Sequence, residues 1–155
     1  MSMTQDRSSA QNVKNVDMKL EVAVIPVSDV ERAKEFYGRL GWRVDQTPPG
    51  SGIVQLTPHG SACSVQFGRN MTSAAPGSAM EYLVVSDLQA TRDALIAAGI
   101  EVGEIFHLGQ NGPAGGLDPE HRSYFSRASF NDPDGNTWLL QEITNRLPGR
   151  VDADE

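Results

Sequence analysis

The first regular pattern of hydrophobic residues in the chain is an apolar run followed by apolar residues at helical spacing. Residues 19–27 carry valine and isoleucine in a stretch typical of a mostly buried strand. Apolar residues then recur at helical spacing, which predicts one helix face made of Val30, Ala33, Phe36, Tyr37 and Leu40. Gly41 is a typical residue just past a helix end. Three further strands are predicted at residues 42–47, 53–57 and 62–67, so the order is β-α-β-β-β.

The same order occurs again 58 residues later. Val27-Ser28-Asp29-Val30 leads to Gly41, and Val85-Ser86-Asp87-Leu88 leads in the same way to Gly99. Strands of the second copy are predicted at residues 79–85, 101–108, 124–130 and 137–143. Because a repeated unit needs a neighbour to cover its apolar face, we predict an α+β fold of two tandem βαβββ modules.

Both predicted helices have a capping box at their start. Ser28 is followed three residues later by Glu31, and Ser86 is followed three residues later by Gln89. In a capping box the serine side chain accepts from the backbone of the first turn. We therefore expect the two serines to begin the helices.

The repeat divides the chain into successive parts. We predict a disordered tail at residues 1–17, module one at 18–68, a linker at 69–77, module two at 78–143 and a C-terminal extension at 144–155. The hairpin turns at Gly60 and Gly135 lie 75 residues apart rather than 58, and a long loop at residues 109–123 carries most of this surplus. Long loops inside compact domains are usually functional or disordered.

Charge and cysteine content exclude several classes of protein. The net charge is −7, from 20 acidic and 13 basic residues, and there is no basic run. This argues against nucleic-acid binding and against docking on an anionic membrane. Cys63 is the only cysteine, and residues 1–17 lack the apolar core of a secretory signal. We therefore expect a cytoplasmic protein without a membrane span.

The two modules, each opened by Val-Ser-Asp before a helix that ends at Gly, resemble the vicinal oxygen chelate superfamily. The turn at residues 132–136, Asp-Pro-Asp-Gly-Asn before the last strand, adds to the resemblance, which covers residues 18–143. This superfamily includes glyoxalase I, methylmalonyl-CoA epimerase, extradiol dioxygenases and bleomycin-resistance proteins. The resemblance implies a curved mixed sheet around a cavity and a homodimer. It leaves open whether one chain or two close the cup.

Metal-dependent members of this superfamily hold a divalent ion in the cup with side chains from four strands. The matching positions, counted from Asp29, Asp87 and Pro133, are Val22, Ser64 or Gln66, Glu81 and Leu139. Val22 and Leu139 have no donor atom in their side chains. Glu81 with Gln66 would leave a hard cation mostly to water. We therefore predict no cofactor, with a divalent metal as the alternative.

Side chains expected on the cup wall are the candidate ligand contacts. They are Val22, Ser64, Gln66, Glu81, Tyr124, Leu139 and Gln141. Glu81 in an apolar strand is either a cavity acid with a raised pKa or a strand-edge carboxylate in water. His107 and His121, at the two ends of the long loop, either complete an acid–base group with Glu81 or belong to a polar lid without chemistry. Gln66 and Gln141 equally fit solvent-facing positions.

Three hypotheses about function follow from these residues. The first is a small-molecule-binding protein, like the bleomycin-resistance proteins, that holds an organic molecule without metal. The second is a metal-dependent lyase, isomerase or dioxygenase. The third is a metal-free acid–base enzyme that uses Glu81 with His107 or His121.

Overall fold

The computed structural model describes residues 13–150 of the 155-residue chain. The predicted tail therefore lies largely outside the described residues, where only Val13–Asn15 form a short 3-10 helix. Residues 151–155 of the predicted C-terminal extension also lie outside them. Within the described range, no helix has both the length and the apolar character that crossing a membrane requires.

The predicted element order is confirmed, with one added strand. Module one consists of β1 (Val22–Val24), α1 (Val30–Arg39), β2 (Arg43–Asp45), β3 (Ile53–Thr57) and β4 (Ser64–Gly68). Module two consists of β5 (Met80–Val85), α2 (Leu88–Ala97), β6 (Phe106–Gly109), β7 (Gly112–Gly115), β8 (Ser126–Asn131) and β9 (Thr137–Glu142). β1 ends before the predicted end at residue 27, because Pro26 has no N–H to extend the ladder beyond Ile25.

Each module forms its own mixed sheet. The strand order is β1-β4-β3-β2 in the first sheet and β5-β9-β8-β6-β7 in the second. β1 is parallel to β4 and β5 is parallel to β9, while the remaining pairs are antiparallel. The α+β fold of two modules is thus confirmed. Among the described residues, however, the two sheets do not pair with each other and do not close into one barrel.

The aspartates, rather than the serines, cap the two helices. The Asp29 carboxylate accepts from the Arg32 N–H at 3.0 Å, and the Asp87 carboxylate accepts from the Ala90 N–H at 3.0 Å. The predicted capping boxes were therefore wrong by one residue, because an aspartate in extended conformation already fills the cap position. The Ser28 hydroxyl instead donates to Asp134 of module two at 2.6 Å.

Aromatic side chains join the two modules in one shared core. The Tyr37 ring on α1 lies 5.5 Å from Phe67 of the first sheet and 5.9 Å from Trp138 of the second, measured between ring centroids. The Tyr37 hydroxyl donates to the Asp132 carboxylate at 2.7 Å and accepts from the Trp138 indole at 2.9 Å. α1 therefore lies between the two sheets. In each sheet, the face that is turned away from the helices points outward.

The loop predicted at residues 109–123 begins with a hairpin. β7 pairs with β6 from Phe106↔Gly115 to Gly109↔Gly112. Its sequence, Gly-Pro-Ala-Gly, has almost no strand propensity, so the pattern of apolar residues gave no sign of it. The preceding strand is shorter than predicted, starting at Phe106, and Val102 forms only an isolated bridge with Phe130.

Candidate ligand-binding faces

Side chains alternate across each sheet, so every central strand has one core face and one outer face. In β4, Val65 and Phe67 enter the shared core, which places Ser64 and Gln66 on the outer face. We call the outer face of the first sheet open face 1; it carries Val22, Val24, Asp45, Gln55, Thr57, Ser64 and Gln66. Open face 2, on the second sheet, carries Met80, Tyr82, Phe106, Arg127, Leu139 and Gln141.

Open face 1 is a hydrogen-bonded polar network. Gln66 Nε2 donates to Gln55 Oε1 at 2.7 Å, and Gln55 Nε2 donates to Asp45 at 2.9 Å. Thr57 lies 2.6 Å from Ser64, oxygen to oxygen, and donates to Asp45 at 2.5 Å. Donation from Arg43, Thr57 and Gln55 lowers the pKa of Asp45 to about 2. Asp45 is therefore an ionised, already paired carboxylate that orders this surface.

Open face 2 is apolar and aromatic, with one guanidinium. Leu139 and Gln141 on β9 are buried, whereas Tyr82 on the neighbouring β5 is 53% exposed. Gln141 Nε2 and Arg127 Nε both donate to the Tyr124 backbone oxygen, at 3.0 and 3.2 Å. The Arg127 guanidinium carbon lies 5.9 Å from the centre of the Tyr82 ring. This face could hold an apolar molecule and a charged group of that molecule together.

The residues expected to contact a ligand lie on two separate surfaces. Val22, Ser64 and Gln66 lie on open face 1, while Leu139 and Gln141 lie on open face 2. Because α1 lies between the sheets, a single chain does not bring these two groups together.

Glu81 lies on neither open face. It is in register with Trp138 and shares its side of β5 with Leu83 and Val85, which pack against the shared core. Burial of the Cys63 thiol, and then the nearby charge of Glu81, raise the pKa of that thiol. Val22 lies seven residues before Asp29, whereas Glu81 lies only six residues before Asp87. The 58-residue repeat pairs Val22 with Met80, and that signal would have placed the outer residue of β5 correctly.

The two loop histidines occupy different surroundings. His107 Nδ1 lies 2.8 Å from the Gly116 carbonyl oxygen on the core side of β6, in register with Ser126. His121 is exposed and has a positive φ of 53°. The carboxylate between them, Asp118, is fully buried and accepts from Arg122 at 2.7, 2.8 and 3.0 Å, which keeps its pKa low. Asp118 is thus a structural anion that fastens the loop.

Tyr124 contributes its backbone, rather than its ring, to open face 2. Its hydroxyl accepts from the Leu147 N–H at 3.1 Å, and that bond lowers the pKa of the phenol. Its ring lies 5.0 Å from the Arg150 guanidinium. Tyr124 also lines a small pocket of about 380 Å³ together with Thr144, Asn145 and Leu147.

Comparison with known proteins identifies the fold family. Residues 19–140 match the model of the glyoxalase/bleomycin resistance protein/dioxygenase superfamily. The chain belongs to this superfamily. The resemblance to the vicinal oxygen chelate proteins is thereby confirmed.

Solved structures of the same superfamily share the two-module architecture. TnmS3, an antibiotic binding protein from Streptomyces sp. CB03234, is 26% identical, with a TM-score of 0.64 over 83% of this chain and 98% of its own. A glyoxalase/bleomycin resistance protein from the same organism is 27% identical, with a TM-score of 0.60 over 79% and 99%. A superfamily member from Sphaerobacter thermophilus DSM 20745 is 24% identical, with a TM-score of 0.59 over 81% and 98%. No curated protein sequence matches the chain.

The side chains present do not fit the divalent metal of the metal-dependent superfamily members. Val22 and Leu139 offer no donor, Ser64 is hydrogen-bonded to Thr57, and the Gln66 amide is bonded to Gln55. Among residues 13–150, no group of three His, Cys, Asp or Glu side chains could hold an ion. Since a hard divalent cation takes six or more oxygen ligands in calcium sites and near-octahedral ligation in magnesium sites, open faces 1 and 2 do not supply a matching set.

A cavity larger than the pocket beside Tyr124 lies between the modules, on the core side. This inter-module cleft has a volume of about 580 Å³. Its lining is mainly apolar and includes Leu40, Trp42, Leu83, Ala94, Leu95 and Phe130. None of the seven expected ligand contacts lines it. The sequence pattern did not predict the cleft, because the same apolar stripe of α2 would serve equally for close packing.

Proposed function

We propose that this protein binds a small organic molecule, without metal, in a cup formed by open face 1 of one chain and open face 2 of a second copy. The proposal rests on one observation: both open faces point outward, because α1 occupies the space between the two sheets. The similarity to TnmS3, described as an antibiotic binding protein, supports an antibiotic-like ligand.

Exposed apolar side chains on these faces support the homodimer. Val24 is 36% exposed, Met80 55% and Tyr82 53%, and all three lie on the outer faces of the edge strands β1 and β5. A second copy related by a two-fold axis would cover the same patch on both chains. It would also form two equivalent cups, each with one polar wall and one apolar wall.

The chemistry of the two walls favours binding over turnover. Glu81 is separated from open face 2, and His107 is engaged with Gly116 on the core side. Glu81 and His107 therefore do not form, on either open face, the pair of a base and an orienting group that the acid–base hypothesis requires. We further propose a cytoplasmic location, which agrees with the low cysteine content and is checked by cell fractionation.

Size-exclusion chromatography with light scattering, followed by native mass spectrometry against aromatic and glycopeptide antibiotics, tests this proposal. We expect a dimer that binds two ligand molecules and keeps its affinity in EDTA. Tyr82→Arg on open face 2 should weaken dimerisation or ligand binding at least about tenfold, which corresponds to roughly 1.4 kcal/mol.

The matched control is Ile96→Arg, because Ile96 is also an exposed apolar residue, at 45%, but lies on α2. It should leave both measurements unchanged. A monomer that binds ligand at full affinity would contradict the shared cup. Affinity that disappears in EDTA and returns with Ni²⁺ or Zn²⁺ would contradict the metal-free site.

A further inference from the structure

We infer that Arg127 is the anion-recognising residue of open face 2, and that the ligand is an aromatic molecule that carries a carboxylate. This inference rests on the proposed function and adds the chemical class of the molecule bound. It also assigns a role to a residue that the sequence pattern did not single out.

The first support is the position of Arg127. It is in register with Gln141 on β9 and with Phe106 on β6, so its side chain leaves the sheet on open face 2. The neighbouring Ala128 is fully buried in the shared core, which fixes this alternation. Arg127 Nε donates to the Tyr124 backbone oxygen at 3.2 Å. That bond orients the guanidinium and leaves its two terminal nitrogens for another acceptor.

The second support is that no carboxylate of the described residues is paired with the Arg127 guanidinium. Several other arginines are paired with carboxylates, among them Arg43 with Asp45, Arg32 with Asp134 and Arg122 with Asp118. Arg127 is half-buried, yet no carboxylate within residues 13–150 forms an ion pair with it. Its guanidinium is instead hydrogen-bonded to a backbone carbonyl and lies near the Tyr82 ring.

The third support is what the opposite wall provides. Open face 1 carries Asp45, but that carboxylate is already neutralised by Arg43 and accepts from Gln55 and Thr57. Closing the cup would remove water from Arg127, and the described residues of open face 1 offer it no unpaired carboxylate. Burial of an unpaired charge is costly, so a ligand carboxylate is the group that would complete the site.

The aromatic part of the ligand follows from the same surface. Tyr82 and Leu139 lie in register on adjacent strands, and Phe106 flanks Arg127 on the other side. A planar ring placed on these side chains would bring a ring-attached carboxylate to the guanidinium. Planar end-on pairing suits arginine better than lysine.

The test is isothermal titration of the wild-type dimer with 2-naphthoate and with its neutral amide, 2-naphthamide. We expect 2-naphthoate to bind at least about tenfold more tightly, which corresponds to roughly 1.4 kcal/mol, and to lose affinity as salt is raised. Arg127→Gln should remove this preference and leave 2-naphthamide binding within about twofold. Arg127→Lys should restore part of the preference.

Arg150→Gln is the matched control, because Arg150 also lies over a tyrosine ring, that of Tyr124, but away from open face 2. It should keep the preference for 2-naphthoate, and thermal melts should show that all three variants are folded. Equal binding of the two compounds by the wild type would overturn the inference and leave the proposed function standing. Absence of binding for both would also overturn it, and the antibiotic screen would then judge the proposed function separately.

Discussion

Tyr37 shows how a single side chain holds the two modules together. It is fully buried, and its hydroxyl bonds both the Asp132 carboxylate and the Trp138 indole of the second module. Burial and the adjacent Asp132 raise the pKa of the phenol, so it stays neutral and can donate at any ordinary pH. Asp132 also accepts from Asn136, which fixes the hairpin turn before β9. The inter-module contact therefore combines ring packing with a small buried polar network.

Tyr37→Phe should destabilise the protein by about 1–3 kcal/mol, because it leaves a buried carboxylate oxygen and an indole N–H each without one partner. Urea unfolding followed by circular dichroism measures the change. Tyr82→Phe serves as the control, since it keeps the ring that a second copy would cover and removes only a hydroxyl outside the core, and it should change the free energy of unfolding by less than about 0.5 kcal/mol. Equal losses in the two variants would show that the buried network adds nothing.

At the scale of elements, the repeat was sufficient to predict most of the fold. The helical stripe that ends before Gly41 and its copy before Gly99 correspond to α1 and α2, and the predicted hairpins correspond to β3–β4 and β8–β9. β7 was not predicted, because its pairing depends on β6 rather than on its own residues. The face of β5 was assigned wrongly for a different reason. Glu81 lies one residue after Met80, which the repeat pairs with Val22, and neighbouring residues of a strand point to opposite sides of the sheet.

Asp87→Ala should cost about 0.5–2 kcal/mol of stability, because it removes the acceptor for the Ala90 N–H at the start of α2. Ser86→Ala is the neighbouring control and should cost less than about 0.5 kcal/mol, since Ser86 is exposed and precedes the cap. Thermal or urea unfolding of the two variants distinguishes the cap found in the structure from the capping box expected from sequence. A larger loss in Ser86→Ala would favour the capping box.

At the scale of the whole molecule, the candidate site could be predicted only in part. The sequence left open whether Gln66 and Gln141 face a cup or solvent, because the relation between their two sheet faces depends on how the modules pack. Tyr37 decides that packing, through rings that come from both sheets. Residues such as Arg127 gain a role only once the register of β8 with β6 and β9 is known. Sequence spacing within one strand does not contain that information.

The packing of the modules also leaves the inter-module cleft partly unfilled. α2 buries only Leu88 among its described residues, while Ala94 faces the cleft of about 580 Å³. Ala94→Leu should therefore stabilise the protein by about 0.5–2 kcal/mol, because the larger side chain fills apolar space at little cost in helix propensity. Ala97→Leu makes the same change on the same helix, outside the cleft lining, and should have almost no effect. Urea unfolding measures both variants. Destabilisation by Ala94→Leu alone would mean that the cleft closes more tightly in solution than its volume indicates.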